Sequence, residues 1–258
     1  EIAADAPHAR VTGDDVTVAR PASGGDRVGL PMLRLPLPSG GLAAIRIELL
    51  PEGTNGITLD GGSTTLRPGF RFVPAAGAPG DLVVHHAEAS LSEPRYANGH
   101  SFIGIRDNWK TSARRVREPH TGVWVLRQPQ SVADGDILEV DLRNNAIQRI
   151  RVSVTPFGSA NPLRSGGHAE LVDALARPAS KRSLAERRVL AETWLLSTDA
   201  NRLERERFQA AHWEYLSCRF GRVPTLVTAA WDPTTVRVLP RGNWMDDSGE
   251  SVVPNPPA

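Results

Sequence analysis

The stretch Arg106-Asp107-Asn108-Trp109-Lys110, followed by Arg114, Arg115 and Arg117, gathers a flat aromatic ring, amide and carboxylate groups and a local excess of positive charge. An indole can stack on a sugar face while polar side chains fix the hydroxyls, and the arginines would favour anionic sugars. A carbohydrate site of this kind rests on Trp109, Arg106 and Asp107, with Tyr96 nearby. The plainer reading carries slightly more weight: a basic, solvated loop with Trp109 folded back on the core.

His85-His86-Ala87-Glu88 offers metal-ligating residue types, but regular strand alternation sends adjacent histidines to opposite faces. At most one of them could then share a site with Glu88, so a structural role is expected rather than a metal site. Asp246-Asp247-Ser248-Gly249-Glu250 could hold Ca²⁺ through oxygens. It lacks the alternating-ligand spacing of an EF-hand loop, and a solvated turn is expected. Trp194, Phe208, Trp213 and Tyr215 read as packing residues, and Cys218, the sole cysteine, as an inert core thiol. No nucleophile elbow, P-loop or dinucleotide-binding glycine fingerprint occurs. No pair of titratable groups stands out as acid and base, so the chain reads as a non-enzyme with no cofactor and no metal.

The elements that would carry these residues follow from hydrophobic period. Up to Thr155 the period is two: Ile45, Ile47 and Leu49 alternate with Arg46 and Glu48, and Ile150, Val152 and Val154 with Arg151 and Ser153. Val16 and Val18, Val123 and Val125, and Ile137 to Val140 mark further strands. Turn signals at Ser39-Gly40-Gly41, Asn55-Gly56, Asp60-Gly61-Gly62, Asn98-Gly99 and Asp134-Gly135 separate them. Many short strands without helical period between them predict a mainly β protein, an antiparallel β-sandwich of jelly-roll or discoidin-like type over residues 1–158. A Pro/Gly-rich linker follows at 159–167, then a helical hairpin connector at 168–221. In that connector Ser183 and Glu186 fit a capping box, and Leu203, Phe208, Ala211 and Tyr215 share one helical face opposite Arg202, Arg205, Glu206 and Gln209. Residues 222–258 read as an extended arm leading toward a following domain.

Composition narrows the partners. A hydrophobic fraction of 40% supports a core, while a net charge of +1 supplies no field for nucleic acid, so none is expected as a partner. Lys110 and Lys181 are the only lysines, an arginine bias expected of a GC-rich genome. A lone cysteine excludes an internal disulfide and CxxC or CxxCH sites. No apolar run approaches the ~20 residues of a membrane span. The opening Glu1-Ile2-Ala3-Ala4-Asp5 has no basic start or apolar stretch, which suits a processed or excised segment.

Several phrases resemble the large planctomycete-type exported proteins that combine a haem c domain with two domains of unknown function. The most specific is Val236-Arg237-Val238-Leu239-Pro240-Arg241-Gly242-Asn243-Trp244 with Asp246-Asp247-Ser248-Gly249-Glu250. Leu42 to Pro51, Ile150 to Thr155 and the connector around Ala176-Arg177-Pro178 and Lys181-Arg182-Ser183 are similar in the same order. The runs Asn55 to Asp60 and Ile105 to Asn108 depart from the family's pattern. The resemblance implies the middle of such a parent, with a carbohydrate-binding-like sandwich and export to the periplasm, cell surface or medium. The implied partners are other domains or fragments of the same parent, haem c-bearing ones among them, and a polysaccharide. Three readings stay open: a glycan-binding module, a scaffold piece of a larger assembly, and part of a polysaccharide-active enzyme.

Overall fold

The computed structural model describes residues 32–96, 101–144, 146–220, 235–240, 245–246 and 248–252, together with the backbone of 3–4, 9–12, 15–18, 97 and 100. In chain order the first strands are β1 (Ala3–Ala4), β2 (Ala9–Thr12), β3 (Asp15–Val18), β4 (Leu33–Pro36), β5 (Gly40–Leu50), β6 (Thr65–Leu66), β7 (Gly69–Val73) and β8 (Gly80–Asp81). They are followed by β9 (Val84–Ala89), β10 (Tyr96–Ala97), β11 (His100–Ser101), β12 (Trp109–Lys110), β13 (His120–Val132), β14 (Ile137–Asp141) and β15 (Arg149–Thr155). Helices α1 (Gly167–Ala176), α2 (Leu184–Ser197) and α3 (Arg202–Phe220) come next, then β16 (Val236–Arg237) and β17 (Ser251–Val252).

The chain is mainly β, and its sheets are antiparallel. Of the two larger sheets, the first has the order β1-β4-β14-β7-β8 and the second β2-β3-β15-β5-β13-β9, while β10 with β11, β12 with β6 and β16 with β17 form two-stranded sheets. The alternation sets the register: Trp124 faces Ile45 across β13 and β5, and Val152 faces Ile47 across β15 and β5. Leu33, Phe70 and Leu138 of the first sheet thereby meet Ile47, Trp124 and Ile150 of the second in one sandwich-like core. Each such burial stabilises by about 1.5–3 kcal/mol. The turn at Asp134-Gly135 is present, with Gly135 at φ 86°, but it carries the chain from one sheet to the other instead of closing a hairpin. The carboxylate of Asp136 anchors it, accepting from the backbone N–H groups of Ala75 and Ala133, both at 2.8 Å.

The outer face of the second sheet is also covered. Ala44, Val123 and Val125 form a smaller apolar patch with Leu163, and α2 packs over β5 and β13. Ser183 caps α2 in the expected box: Glu186 N donates to Ser183 Oγ at 3.2 Å, and Ser183 N donates to Glu186 Oε2 at 2.7 Å. The segment expected as a linker is fastened down, because Gly158 N donates to Ser197 Oγ and Ala160 N to Glu192 Oε1. A side chain at Gly158 would meet Leu196 Cβ at 2.7 Å, so this crossing needs glycine. Residues 1–223 cluster as one compact unit, which includes α1, α2 and α3. Within them α2 packs more extensively on α1 than on α3.

The packed face of α3 is not the one that apolar residues mark. Leu203 and Tyr215 are exposed, whereas Arg205, Gln209 and Leu216 are buried. Positions 205, 209, 212 and 216 form one stripe at helical spacing, and its polar members are held by specific bonds. Arg205 is 2% exposed and donates to Thr198 O at 2.7 Å and Asp199 Oδ1 at 2.6 Å, and Gln209 Nε2 donates to Arg127 O at 2.9 Å. Once hydrogen-bonded, polar side chains can occupy an interface that a count of apolar residues assigns to water.

Residues 224–258 cluster as a second unit. In it β16 pairs with β17, and Val238 N donates to Glu250 O at 2.8 Å. Asp246 Oδ1 accepts from Ser248 N, and the Ser248 hydroxyl together with this N–H holds its carboxyl below the usual range. The Asn98-Gly99 turn, the helix stop at Gly221 and Pro224, residues 241–244 and the proline-rich end lie outside the described residues.

Candidate functional site

Trp109 does not present a ring to solvent. It is 0% exposed, its indole N–H donates to Leu91 O at 2.9 Å, and its ring meets Trp124 edge-on at 5.7 Å. Trp124 in turn meets Phe70 at 5.6 Å and lies over Gly122, where an added Cβ would fall 2.7 Å from the indole. Trp109 is therefore core, the slightly favoured of its two readings, and the glycan alternative loses its anchor. A large ring with a satisfied N–H gains more from burial than from a basic loop.

The other three expected residues separate. Arg106 pairs with Asp107 at 3.3 Å and lays its guanidinium over the ring of Trp213 on α3, 4.5 Å from the centroid. Asp107 stays exposed. Tyr96, 53% exposed, lines a cleft of about 380 Å³ with Glu88, Arg95, Phe102, Trp213 and Phe220. The β10–β11 hairpin, β9 and α3 shape this cleft. Phe102 N donates to Arg95 O, the Arg95 guanidinium sits over the Phe102 ring at 4.4 Å, and Ser101 Oγ donates to Phe220 O at 3.0 Å. Gly104, at φ 61°, allows the close approach to β9 that closes one wall, since a Cβ there would lie 2.2 Å from Ala87 O. Trp213 and Phe220 contribute from α3, a helix whose period marks the opposite face as apolar, and that is why the cleft is not visible in the sequence.

At the inner end of the cleft β9 departs from regular alternation. Val125 of β13 pairs with His86, but the next residue, Leu126, pairs with Val84, so His85 is an extra residue in the ladder. Such a bulge turns two successive side chains to the same side. Val84, Ala87 and Ala89 pack on the sandwich core, while His85 and His86 both meet His212 of α3. This overturns the expectation that the adjacent histidines point apart. Their ring centroids are only 4.9 Å apart, and His86 lies 4.7 Å from His212.

Burial dominates the electrostatics here. It lowers His85 from 6.5 to about 4, aided by the neighbouring His212 ring and by the positive charges of Arg106 and Arg127. Burial first, then the neighbouring His85 and His212, lowers His86 to about 3. His212 is lowered by burial as well, and Glu88 is raised by the same cause. His85 Nε2 and His212 Nδ1 are 3.2 Å apart. His86 is 2% exposed, and neither of its ring nitrogens makes a well-formed hydrogen bond; the backbone of Ala160 is near enough to favour its protonated form without forming one. A buried polar group left this way costs about 1–3 kcal/mol.

No protein-family model, curated protein or solved structure matches this chain. Its site is therefore read from its own residues. Elsewhere, Cys218 is exposed and not a core thiol, and Trp194 and Tyr215 are about half exposed and not fully packed.

Proposed function

We propose that this chain is a non-catalytic binding segment of a larger exported protein. Its jelly-roll or discoidin-like sandwich carries a carbohydrate cleft, and its last unit is an arm that docks on a following domain. The observation that carries the reading is the cleft walled by Tyr96, Phe102, Trp213 and Phe220 beside the charged groups of Glu88 and Arg95. Partly exposed aromatic rings beside hydrogen-bonding groups suit sugars, whose faces are apolar and whose edges are polar. Glu88 is the sole carboxylate along the described walls, whereas glycoside hydrolysis ordinarily needs two. That favours binding over cleavage. The resemblance of the 236–250 run to exported, haem c-associated proteins supports the larger context, with haem-bearing fragments of the parent as partners. Among the described residues no helix is long and apolar enough to cross a membrane.

A scaffold role for the last unit has its own support. Val236, Val238, Leu239, Met245 and Val252 are all exposed there, which is much apolar surface for so small a unit. The cleft is tested on a glycan array followed by titration of the best glycan. Tyr96→Ala should weaken binding about tenfold, while Trp109→Phe, in the core, should leave it within about twofold. Equal effects of the two substitutions, or no glycan bound by the wild type, would sink the reading.

A further inference from the structure

The three histidines at the bulge are better arranged to hold an ion than to hold one another. Each offers one ligand nitrogen, and these atoms lie within 4.8 Å of one another. The His85 Nε2 to His212 Nδ1 separation of 3.2 Å is close to the edge of a tetrahedral zinc site, where nitrogens about 2.0–2.1 Å from the ion stand about 3.3–3.4 Å apart. His86 completes the triangle with a buried ring whose nitrogens lack well-formed partners, an arrangement that binding to an ion would satisfy. The local fold is arranged to produce this. A one-residue bulge turns both β9 histidines outward, and the polar stripe of α3 sets His212 one turn beyond Gln209, which is fastened to Arg127 O.

We propose that His85, His86 and His212 form a trihistidine centre for a borderline transition-metal dication, Zn²⁺ or its in-vitro competitor Cu²⁺. Three neutral imidazoles suit these ions better than the hard cations Mg²⁺ or Ca²⁺. No carboxylate or thiol joins the cluster among the described residues, so the fourth position is left to water or an outside ligand. Arg106 and Arg127 contribute positive potential at His85, which favours hydroxide or another anion in that position. His86 also belongs to the cleft wall, so the ion would stand beside whatever the cleft holds. The proposal does not depend on that occupant being a carbohydrate. Bound metal would also cross-link α3 to the edge strand of the sandwich.

The test uses the full chain, stripped with a chelator and dialysed, and Zn²⁺ alone as the probe in calorimetry near neutral pH. The expected result is one ion per chain with sub-micromolar affinity and a melting temperature raised by about 5–10 °C under saturating metal. His212→Ala and His85→Gln should each weaken binding by at least about 100-fold while circular dichroism stays unchanged. Should a variant fail to fold, electron paramagnetic resonance of Cu²⁺-loaded wild type reads the ligands directly and should show imidazole nitrogen coupling. No stoichiometric uptake by the wild type, uptake unaltered in folded variants, or a copper spectrum without imidazole nitrogen would overturn the proposal.

Discussion

Acid should unfold this protein earlier than its surface charges alone would require, because the histidine cluster is buried neutral. In the metal-free chain burial holds His85 at about 4 and His86 at about 3, against 6.5 for an unperturbed ring. The folded values lie below the unfolded one, so the unfolded chain binds more protons as pH falls. The stability this provides is complete above 6.5 and is lost progressively as pH drops toward 4 and then 3. Each ring contributes a slope of about 1.4 kcal/mol per pH unit inside that window, so two rings give at most about 5 kcal/mol between pH 6.5 and about pH 4.5. The residual solvent around His85 and the mutual coupling of the rings reduce this to about 3–5 kcal/mol. His212 and His120, both lowered by burial, act in the same direction, while Glu88, raised by burial, opposes them. Against a typical total of about 5–15 kcal/mol, that loss decides whether the fold survives. The assay is guanidinium unfolding followed by tryptophan fluorescence at several pH values between about 7.5 and 4.5, with chelator present. His86→Leu should remove about 1.4 kcal/mol per pH unit from the slope. A wild-type stability flat within about 1 kcal/mol across the range would refute the reasoning.

Three further perturbations probe the framework. Gly104→Ala should cost more than about 2 kcal/mol and slow or abolish ligand binding in the cleft, since its Cβ would lie 2.2 Å from Ala87 O; chemical denaturation reads the cost. Asp199→Ala, which leaves the buried Arg205 guanidinium without its carboxylate, should destabilise by about 2–3 kcal/mol, whereas the volume-conserving Arg205→Met should stay within about 1 kcal/mol; an equal cost for both would contradict the account of this pair. Ser183→Ala removes one half of the α2 cap and should lower the melting temperature by about 2–4 °C, seen by calorimetry.

What was legible in the sequence followed simple periods. Ile45, Ile47 and Leu49 announced β5 and its buried face, Ile150 and Val152 announced β15, and Ser183 with Glu186 announced the start of α2. Each signal is local: a repeat of two, or a cap at fixed spacing. Trp109 was ambiguous for a physical reason, since its basic neighbours describe the loop and not the direction of its ring. The α3 interface misled because Arg205 and Gln209 are buried through bonds to Thr198, Asp199 and Arg127, and only the folded chain brings Arg127 near.

The histidine cluster exposes a sharper limit. Strand alternation was applied correctly to His85 and His86, and it failed because the ladder between β9 and β13 gains one residue between Val84 and His86. A bulge leaves no requirement for glycine or proline at its own position, so nothing in residues 84–89 signals it. Yet one inserted residue converts two side chains on opposite faces into two on the same face, and the third histidine lies far along the chain on a helix whose apolar pattern points elsewhere. Burying His86 with neither ring nitrogen satisfied costs stability, and α3 is held there by Gln209 and Arg205 regardless. A fold that only needed to pack α3 against β9 could do so with leucines at these three positions. That the His86 ring sits there instead, buried and with neither nitrogen well bonded, is the strongest reason to regard the bulge as built for a ligand.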